Sequence, residues 1–305
     1  MTDLMKEPMR DVFSDHVAES RATFKTRSRQ LVSRIKNHAL APGSSAERFK
    51  ALEVLKSLAK IGTSSGVAPF PHQCLIGTFH KTGTVLIEKM LRDLSRFAEF
   101  EVWNIGRFPE GQDDWLIGFD WWSDFHQYDL DASEYPTVLI IRDPRDVIVS
   151  SMKFHSVADE PWLHVPQPEL GGRTYQQTLL DMNNDEERFL FELRHQAGAT
   201  IADMLAARRR LSNSDALFLP LEDLMGDRTL GGFKRLFEHL GIESAYLPLA
   251  LTAAYEHSVF RPGFRKSGHI TSGRSKLWQE ILPQSVLDEL DETYPRAAEE
   301  LGYEN

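Results

Sequence analysis

Two continuous apolar runs, each followed by a polar turn and a helical pattern, constrain the fold of this chain most. The runs are "CLIGTF" (74–79) and "PTVLIIR" (136–142), and the helix after the first is "GTVLIEKMLRDLSRF" (83–97). Strands that are apolar along their whole length lie in parallel sheets with helices on both faces. The chain is therefore predicted to be α/β, with a central parallel sheet flanked by helices.

Other segments continue this alternation. The predicted elements are a strand at 115–119, helices at roughly 174–195 and 196–211, a strand at 216–222 and a helix at 231–240. In open sheets of this kind, ligands bind beyond the carboxyl ends of the strands. Residues 79–84 and 142–150 each follow a strand, so they are expected to lie side by side.

Residues 1–70 are predicted to form a helical appendage to an α/β domain at 71–305. Amphipathic helical patterns cover 13–40 and 46–61, with the helix-breaking "APGSS" between them and a linker after them. Packing against the core or contact with a second subunit is favoured over a catalytic role. These helices are therefore a candidate surface for a homo-oligomer.

Charge and cysteine content limit the expected partners and compartment. The 305 residues carry a formal net charge of −10, which argues against a general nucleic-acid or anionic-membrane binder. Cys74 is the only cysteine, and no apolar stretch has the length of a membrane span or the form of a signal peptide. We expect a cytoplasmic protein that meets anionic ligands through a local basic pocket.

The segment "FHKTGT" (79–84) has the composition of an anion-binding turn. A strand that turns into a helix here offers backbone N–H groups, threonine hydroxyls and the Lys81 ammonium, and Gly83 allows a ligand to approach the backbone. The usual nucleotide loop instead has Gly-Lys-Ser/Thr at the mouth of the helix. From this segment alone, a phosphate site and a merely solvated lysine remain alternatives.

The segment "RDPRDVIVSS" (142–151) supplies a second anion-binding pattern. Arg142 ends a strand, a proline opens the next helix, and Ser150 lies two turns into it. Arg142 offers a bidentate fork to a phosphate and Ser150 adds a hydroxyl. Arg145 and Asp146 are expected to belong to a solvated ion-pair cluster.

Together the two segments resemble the paired motifs of sulfotransferases that use 3′-phosphoadenosine-5′-phosphosulfate (PAPS) and release 3′-phosphoadenosine-5′-phosphate (PAP). In that family the first loop holds the 5′-phosphosulfate, and an Arg and a Ser with the spacing of Arg142 and Ser150 hold the 3′-phosphate. The resemblance covers about residues 73–303. Its weaker elements are "FRKSGHITSGRSKLWQEIL" (264–282), "LPLEDL" (219–224) and "LDELDETYPRAAEELGY" (287–303).

The resemblance implies a P-loop-like sulfotransferase fold and a sulfuryl transfer without a metal. Lys81 would neutralise the leaving oxygen, because charge develops there as the bond from sulfur breaks. The implied donor-binding residues are Lys81, Thr82, Gly83, Thr84, Val85, Arg142, Ser150, Arg265, Lys266 and Arg274. Leu86 and Leu221 occupy positions where many family members carry an aromatic residue, so the adenine contacts are left unassigned.

The acceptor is expected to be a small molecule with a hydroxyl or an amine. The family's base follows the strand that precedes the Arg-bearing strand, which points to Asp120 by position, with His126 as the nearest imidazole. The residues expected to line the acceptor pocket are Trp121, Trp122, Phe125 and the structureless segment 154–175.

Two other functions stay open at this level. A nucleotide kinase or NTPase shares the fold type, but the chain lacks the Gly-x4-Gly-Lys-Ser/Thr order and a clear Mg²⁺ aspartate. A non-catalytic nucleotide-binding module would bind PAP without transferring anything. The segment "DMNNDEE" (181–187) lacks the ligand spacing of a calcium loop, and no metal is predicted.

Overall fold

The computed structural model of the chain describes residues 68–98, 100–106, 115–244, 246–260 and 275–304. Some of the predictions concern residues outside these ranges. They are the N-terminal helices at 13–40 and 46–61 with their oligomer contact, and the donor-binding residues Arg265, Lys266 and Arg274.

A parallel sheet lies at the centre of the molecule. In chain order the strands are β1 (Cys74–Gly77), β2 (Glu101–Asn104), β3 (Trp115–Asp120), β4 (Thr137–Ile141), β5 (Pro166–Gln167), β6 (Arg173–Thr174) and β7 (Leu217–Pro220). The central sheet has the order β2-β3-β1-β4-β7, and all its pairs are parallel. Strands β5 and β6 form a separate antiparallel pair. The predicted α/β class with a central parallel sheet is confirmed.

Helices cover both faces of this sheet. They are α1 (Thr84–Ala98), α2 (Pro144–His155), α3 (Tyr175–Leu180), α4 (Asp185–Arg194), α5 (Gln196–Arg210), α6 (Leu221–Gly226), α7 (Gly231–His239), α8 (Leu247–His257), α9 (Trp278–Ile281), α10 (Gln284–Thr293) and α11 (Ala297–Glu300), with short 3-10 helices at Phe125–Tyr128, Pro161–His164 and Pro168–Leu170. None of the helices in the described ranges is long and apolar enough to cross a membrane.

The apolar strands form two cores because successive side chains point to opposite faces of the sheet. Ile76 and Ile140 pack with α1, α7 and α8 on one face. Leu75 and Leu139 pack with α2, α4 and α5 on the other. Since both faces are buried, these strands have no polar side, which explains their continuous apolar sequence.

Several elements differ from the sequence prediction in extent. The helix expected at 174–195 is two helices, because Asn184 accepts a hydrogen bond from the Glu187 N–H and caps a new one. The strand expected at 216–222 ends at Pro220, and α6 begins at Leu221. Strand β2 and helix α8 were not predicted, and the segment expected to be structureless holds β5, β6 and two 3-10 helices.

The strand order places a crevice at the end of β1. Strand β1 lies between β3 and β4, and the chain leaves β1 toward β2 on one side and leaves β4 toward β7 on the other. Where neighbouring strands send their connections in opposite directions, a crevice opens at their carboxyl ends. The segments that follow β1 and β4 are the two anion-binding patterns of the sequence.

Phe70, at the start of the described structure, belongs to the α/β core. Its side chain is 1% exposed, and its ring lies 5.7 Å from that of Phe100. The Pro69 carbonyl also accepts a hydrogen bond from the Glu243 N–H. The predicted domain boundary at residue 70 therefore cuts through core contacts.

Candidate active site

The turn after β1 is held in an unusual backbone conformation. Lys81 has φ of 64° and Gly83 has φ of 98°, so both lie in the left-handed region. Within the turn, the Thr82 hydroxyl accepts from the Phe79 N–H at 2.7 Å and donates to the Phe79 carbonyl at 2.9 Å. Thr82 is fully buried, and its hydroxyl braces the loop from within instead of facing the crevice.

Packing and backbone conformation require a glycine at position 83, and the start of α1 offers backbone N–H groups to an anion. A Cβ at Gly83 would come within 2.6 Å of the Leu221 side chain, and its positive φ would strain any other residue. The N–H groups of the first helical turn, which includes Thr84 and Val85, have no acceptor within the helix. The Thr84 hydroxyl lies 2.9 Å from that of Thr78, so it too points into the loop.

Lys81 is a half-buried cation beside a second one. Its Nζ lies 3.4 Å from the centre of the Phe154 ring. Burial, and then the nearby Arg142 guanidinium, lower the pKa of Lys81 to about 7, and the carboxylates of Glu160 and Glu192 offset part of this effect. A bound anion would favour the ammonium form at this position.

Arg142 joins the two anion-binding segments. It follows the end of β4, and its Nη1 donates to the Lys81 carbonyl at 3.1 Å. Ser150 is half-buried in the second turn of α2. The structure thus brings Lys81 and Arg142 together, and Ser150 lies on the helix that follows Arg142.

Arg145 and Asp146 are buried, so the predicted solvated cluster is wrong. Arg145 is 7% exposed and forms two hydrogen bonds of 2.9 Å with the carboxylate of Asp143, which also caps α2. Its guanidinium lies 3.8 Å from the centre of the Trp278 ring. The correction follows from the C-terminal helices, which cover this face of the loop.

Asp146 ties the second segment to the C-terminal part of the chain. It is 1% exposed, and its two carboxylate oxygens accept the N–H groups of Lys276 and Trp278 at 2.7 and 2.9 Å. Lys276 is two residues after Arg274 in the sequence. The buried carboxylate therefore fixes the chain next to the proposed third donor-binding segment.

Two of the three weaker sequence elements, 219–224 and 287–303, meet at the same loop. Glu222, from "LPLEDL", accepts the Asp143 N–H at 3.2 Å and the Tyr303 hydroxyl at 2.9 Å. Burial raises the pKa of Glu222, and burial together with the Glu222 carboxylate raises the pKa of Tyr303. Residues far apart in sequence thus converge behind Arg142.

Asp120 lies at the edge of the crevice, but its carboxylate caps a turn. It ends β3 beside Gly77, and its Oδ2 accepts the Asp124 N–H at 2.6 Å. Burial raises its pKa, and hydrogen bonds from backbone N–H groups of the following turn oppose this effect. His126 instead lies on the surface with a side chain 62% exposed, paired with Asp124 and near Arg210.

The predicted acceptor aromatics separate into core and crevice residues. Phe125 is 1% exposed and packs in the core, so its assignment to the acceptor pocket is wrong. Trp121 is partly buried against the other core. Trp122 is half-buried and stacks on His80, with ring centres 6.3 Å apart and planes 11° apart.

Three residues beside Lys81 were missed by the sequence analysis. His80 Nε2 lies 2.9 Å from His155 Nε2, and His155 Nδ1 lies 2.7 Å from Glu192 Oε1. Glu192 is a charged residue within the apolar run at 189–193, and this sequence feature indicates a buried carboxylate. Its partner is 37 residues away, and His80 and His155 are 75 apart, so only the fold pairs them.

The segment predicted to cover the acceptor instead packs around His155. Trp162 and Tyr175 contact the His155 ring at centre distances of 5.1 and 5.4 Å. Gln176 donates to the carbonyls of His155 and Ala158, which fixes the chain that leaves α2. In the part of the chain that the structure describes, no three His, Cys, Asp or Glu side chains are grouped as metal ligands.

Comparison with solved structures identifies the fold type. The chain is similar to mouse sulfotransferase SULT7A1, solved in complex with PAP, with a TM-score of 0.50 and 12% sequence identity. The match covers 82% of this chain and 90% of the mouse protein. No protein-family model matches the sequence, and no curated protein does. At this identity the likeness shows the fold alone, which is the predicted P-loop-like sulfotransferase fold.

Proposed function

We propose that this protein transfers the sulfuryl group of PAPS to a hydroxyl or an amine of a small-molecule acceptor by in-line displacement and releases PAP. One observation carries the proposal: Lys81 and Arg142 are brought together at the N-terminus of α1, in the crevice at the end of β1. Two neighbouring cations at a helix N-terminus repel each other and attract an anion. The fold likeness to a PAP-bound sulfotransferase supports the same ligand.

The residues present fit a donor with phosphates at both ends. The N–H groups of Gly83, Thr84 and Val85 and the Lys81 ammonium would hold the 5′ end, while Thr82 braces their loop. Arg142 and Ser150 would hold the 3′-phosphate, and Arg265, Lys266 and Arg274 are proposed to close over it. The depressed pKa of Lys81 fits this use, because anion binding would relieve it.

Lys81 supplies the main chemical contribution in this proposal. Charge develops on the oxygen that links sulfur to the 5′-phosphate as that bond breaks, and a positioned cation stabilises it. No metal has a role in the proposal. By position in the chain, Asp120 and His126 are the candidate bases. The Asp120 carboxylate is buried and caps a turn, and His126 is at the surface.

Calorimetry with PAP and with adenosine 5′-phosphate tests the proposed donor site. PAP is expected to bind more tightly, because the analogue leaves Arg142 and Ser150 without the 3′-phosphate. Losing a charged hydrogen-bond pair costs about 1.5–3 kcal/mol, or roughly ten- to a hundredfold in affinity. Arg142→Met should remove the preference, and Arg296→Met, on the exposed surface, should not. Equal affinities in the wild type would refute the 3′-phosphate site.

Incubation with labelled PAPS and a panel of alcohols, phenols and amines tests the transfer itself. Mass spectrometry is expected to show a sulfated acceptor in amounts equal to the PAP released, with and without EDTA. Abolition by EDTA and recovery with Mg²⁺ would favour a kinase or NTPase. PAP binding with no transfer to any acceptor, water included, would favour a non-catalytic module.

A further inference from the structure

Buried hydrogen bonds join the turn that follows β3 to the exit of β1. Thr78 is the first residue after β1 and is fully buried. Its N–H donates to the Asp120 carbonyl at 2.9 Å, and its carbonyl accepts the Ser123 hydroxyl at 2.9 Å. We infer that Asp120 and Ser123 are positioning residues that hold the donor-binding loop at 79–84, and that Asp120 acts in this way instead of as the base. This inference rests on the proposed PAPS site.

The Asp120 carboxylate organises the turn at 121–124. Its Oδ2 accepts the Asp124 N–H at 2.6 Å, and the N–H groups of Trp122 and Trp121 also bond to the carboxylate. The chain must fold back over the carboxylate to direct these donors at it, and Ser123 within the turn has φ of 54°. A non-glycine residue keeps a left-handed backbone only where its surroundings enforce it. The hydrogen bonds to Asp120 supply this constraint.

The conformation of Ser123 directs its hydroxyl at the end of β1. A Cβ on Gly77 would lie 2.4 Å from Ser123 Oγ, so this close approach requires glycine at position 77. Ser123 is 2% exposed, and its carbonyl accepts a hydrogen bond from Arg210 of α5 at 3.4 Å. The contact of the Ser123 hydroxyl with the Thr78 carbonyl is therefore buried and held from both sides.

The Thr78 hydroxyl extends this connection to α1. It lies 2.9 Å from the hydroxyl of Thr84, the first residue of that helix. Each hydroxyl has one proton, so the pair can bond in two directions. In one, Thr84 donates onward to the Phe79 carbonyl at 3.3 Å. In the other, Thr78 donates to the Trp121 carbonyl at 3.4 Å. Both directions tie the exit of β1 to the helix N-terminus that is proposed to hold the 5′-phosphate.

The donor-binding loop needs this support because its own backbone is strained. Lys81 and Gly83 both have positive φ, and the Thr82 hydroxyl bonds only within the loop. The bonds of Thr78 and Thr84 fix the two ends of the loop relative to the sheet. A displaced loop would carry the Lys81 ammonium and the N–H groups of α1 away from the 5′-phosphate, and small displacements of positioned groups are costly in rate.

The same contacts separate Asp120 from the role of base. A base must come within hydrogen-bond distance of the proton that it takes from the acceptor. Asp120 is 1% exposed, one carboxylate oxygen is bonded to the turn, and a Cβ on Gly106 would lie 3.3 Å from the other. An acceptor in the crevice would reach this carboxylate only by displacing the turn.

Calorimetry of Ser123→Ala with three nucleotides tests the positioning role. PAP and adenosine 5′-phosphate should both bind more weakly by the same factor, roughly two- to tenfold for the loss of one neutral hydrogen bond. Adenosine 3′-phosphate should bind as to the wild type, because it makes no use of the 5′-phosphate loop. Ser133→Ala, which removes an exposed hydroxyl bonded to Asp131, is the matched control. Equal weakening of all three nucleotides, or of none, would overturn the inference.

Ser123→Gly separates the hydroxyl from the strained backbone. Glycine accepts the left-handed conformation without strain but removes the same hydroxyl. The affinities of Ser123→Gly for the three nucleotides should therefore follow the pattern of Ser123→Ala. Wild-type affinities in Ser123→Gly would show that the hydroxyl has no role, even if Ser123→Ala does not fold.

Transfer from PAPS to phenol and to 4-nitrophenol distinguishes positioning by Asp120 from base catalysis. Phenol keeps its proton near neutral pH, whereas 4-nitrophenol is largely ionised. Asp120→Asn has one acceptor oxygen fewer for the turn, so it should weaken PAP binding and lower kcat by the same factor for both acceptors. Loss of kcat for phenol alone, with PAP affinity intact, would assign the base role to Asp120 and overturn the inference. Asp131→Asn is the matched control, because Asp131 accepts the Ser133 N–H in an exposed turn that precedes β4.

The outcomes separate this inference from the proposed function. A wild type that binds neither PAP nor adenosine 5′-phosphate contradicts the donor site, and the positioning role falls with it. A wild type that binds PAP, with Ser123→Ala and Ser123→Gly binding it equally well, contradicts the positioning role alone. The double variant Asp120→Asn/Ser123→Ala should weaken PAP no more than the stronger single variant, because both residues act through one turn. Additive losses would show two independent effects and contradict the shared route.

Discussion

Lys81 combines an unfavourable backbone and an unfavourable charge at one residue. A non-glycine residue in the left-handed region costs about 1–2 kcal/mol, and Lys81 has φ of 64°. Its ammonium is also partly desolvated and adjacent to Arg142, which lowers its pKa to about 7. Strain that clusters at a ligand site and persists there fits a functional requirement.

The depressed pKa of Lys81 predicts that nucleotide binding takes up protons. A phosphate favours the ammonium form and raises the pKa again, so above a pH of about 7 the bound state holds more protons than the free state. At higher pH, PAP binding should take up about one proton and weaken up to tenfold per pH unit. Calorimetry in buffers of different ionisation enthalpy measures this uptake.

Lys81→Met provides the reference, since its PAP complex should take up almost none of those protons. Equal uptake by the two proteins would contradict the assigned titration.

The lowered pKa of Lys81 also affects the stability of the protein without ligand. The free energy of unfolding should increase as pH rises from about 7 toward the ordinary pKa of lysine, because the unfolded chain binds more protons than the folded one in this range.

The proposed catalytic role of Lys81 predicts a separation of rate from binding. Removing one preorganised charge from an active site lowers turnover by about a hundredfold or more. Lys81→Met should therefore reduce kcat far more than it raises the dissociation constant of PAP, because the charge it meets is largest in the transition state. Lys89→Met, exposed on α1, is the control. A folded Lys81→Met protein with unchanged kcat would refute the role.

For single residues, the sequence predicts which side chains belong to the candidate site but not which partners they contact. Lys81 and Arg142 were predicted to meet because each follows a strand, and the Arg142 contact to the Lys81 carbonyl agrees with this. Two contacts depend on the direction in which side chains point. They are the hydrogen bonds of the Thr82 hydroxyl within its own loop and the contact of His80 with His155. A pattern of residue types carries no information about such directions.

At the scale of elements, the loop after β4 is assembled from three parts of the chain. Asp143 caps α2 and binds Arg145, Glu222 of α6 binds the Asp143 N–H, and Tyr303 binds Glu222. Nothing in the residue types of these three segments predicts that they meet. Their convergence follows from the position of β7 beside β4 and from the C-terminal helices packing against α2.

The tether formed by Asp146 predicts an effect on 3′-phosphate selectivity. Asp146→Asn keeps the size of the side chain but loses one acceptor and the charge, so one of the N–H groups of Lys276 and Trp278 loses its partner. The loss should cost about 1.5–3 kcal/mol in stability. The preference for PAP over adenosine 5′-phosphate should fall, because the chain that follows Arg274 is held less firmly.

Urea denaturation and calorimetry on the same protein measure both effects of Asp146→Asn. Asp215→Asn, an exposed acid, serves as the matched control. A preference for PAP that survives in a destabilised but folded Asp146→Asn protein would contradict the link to the nucleotide site.

The prediction that Arg145 and Asp146 belong to a solvated cluster was wrong for a physical reason. Charges that alternate along a loop have the same sequence pattern whether solvent or a C-terminal helix covers them.

For the molecule as a whole, the parallel sheet was predictable from the sequence, except for the edge strand β2. Continuous apolar strands such as β4 are distinctive because both faces are buried. Strand β2, at one edge, begins with exposed Glu101 and has only four residues, so its pattern is weak. The domain boundary was set from linker composition, which does not show that Phe70 enters the core.

Phe70→Ala tests how far the α/β unit extends toward the N-terminus. Removing a buried phenylalanine costs about 3–5 kcal/mol, so the free energy of unfolding should fall by that amount. A chain that begins at residue 68 should still bind PAP, and one that begins at residue 72 should be destabilised like the point variant. Unchanged stability of Phe70→Ala in urea denaturation would place the boundary after residue 70.

The conformation of Lys81 has a consequence for how this protein would respond to selection. Glycine at this position would accept the left-handed backbone without strain and would bury no charge. A library screened only for heat resistance would therefore favour replacements of Lys81, while the proposed role of Lys81 predicts that a screen for turnover rejects them. Selection for thermal stability and selection for turnover would therefore favour different residues at position 81.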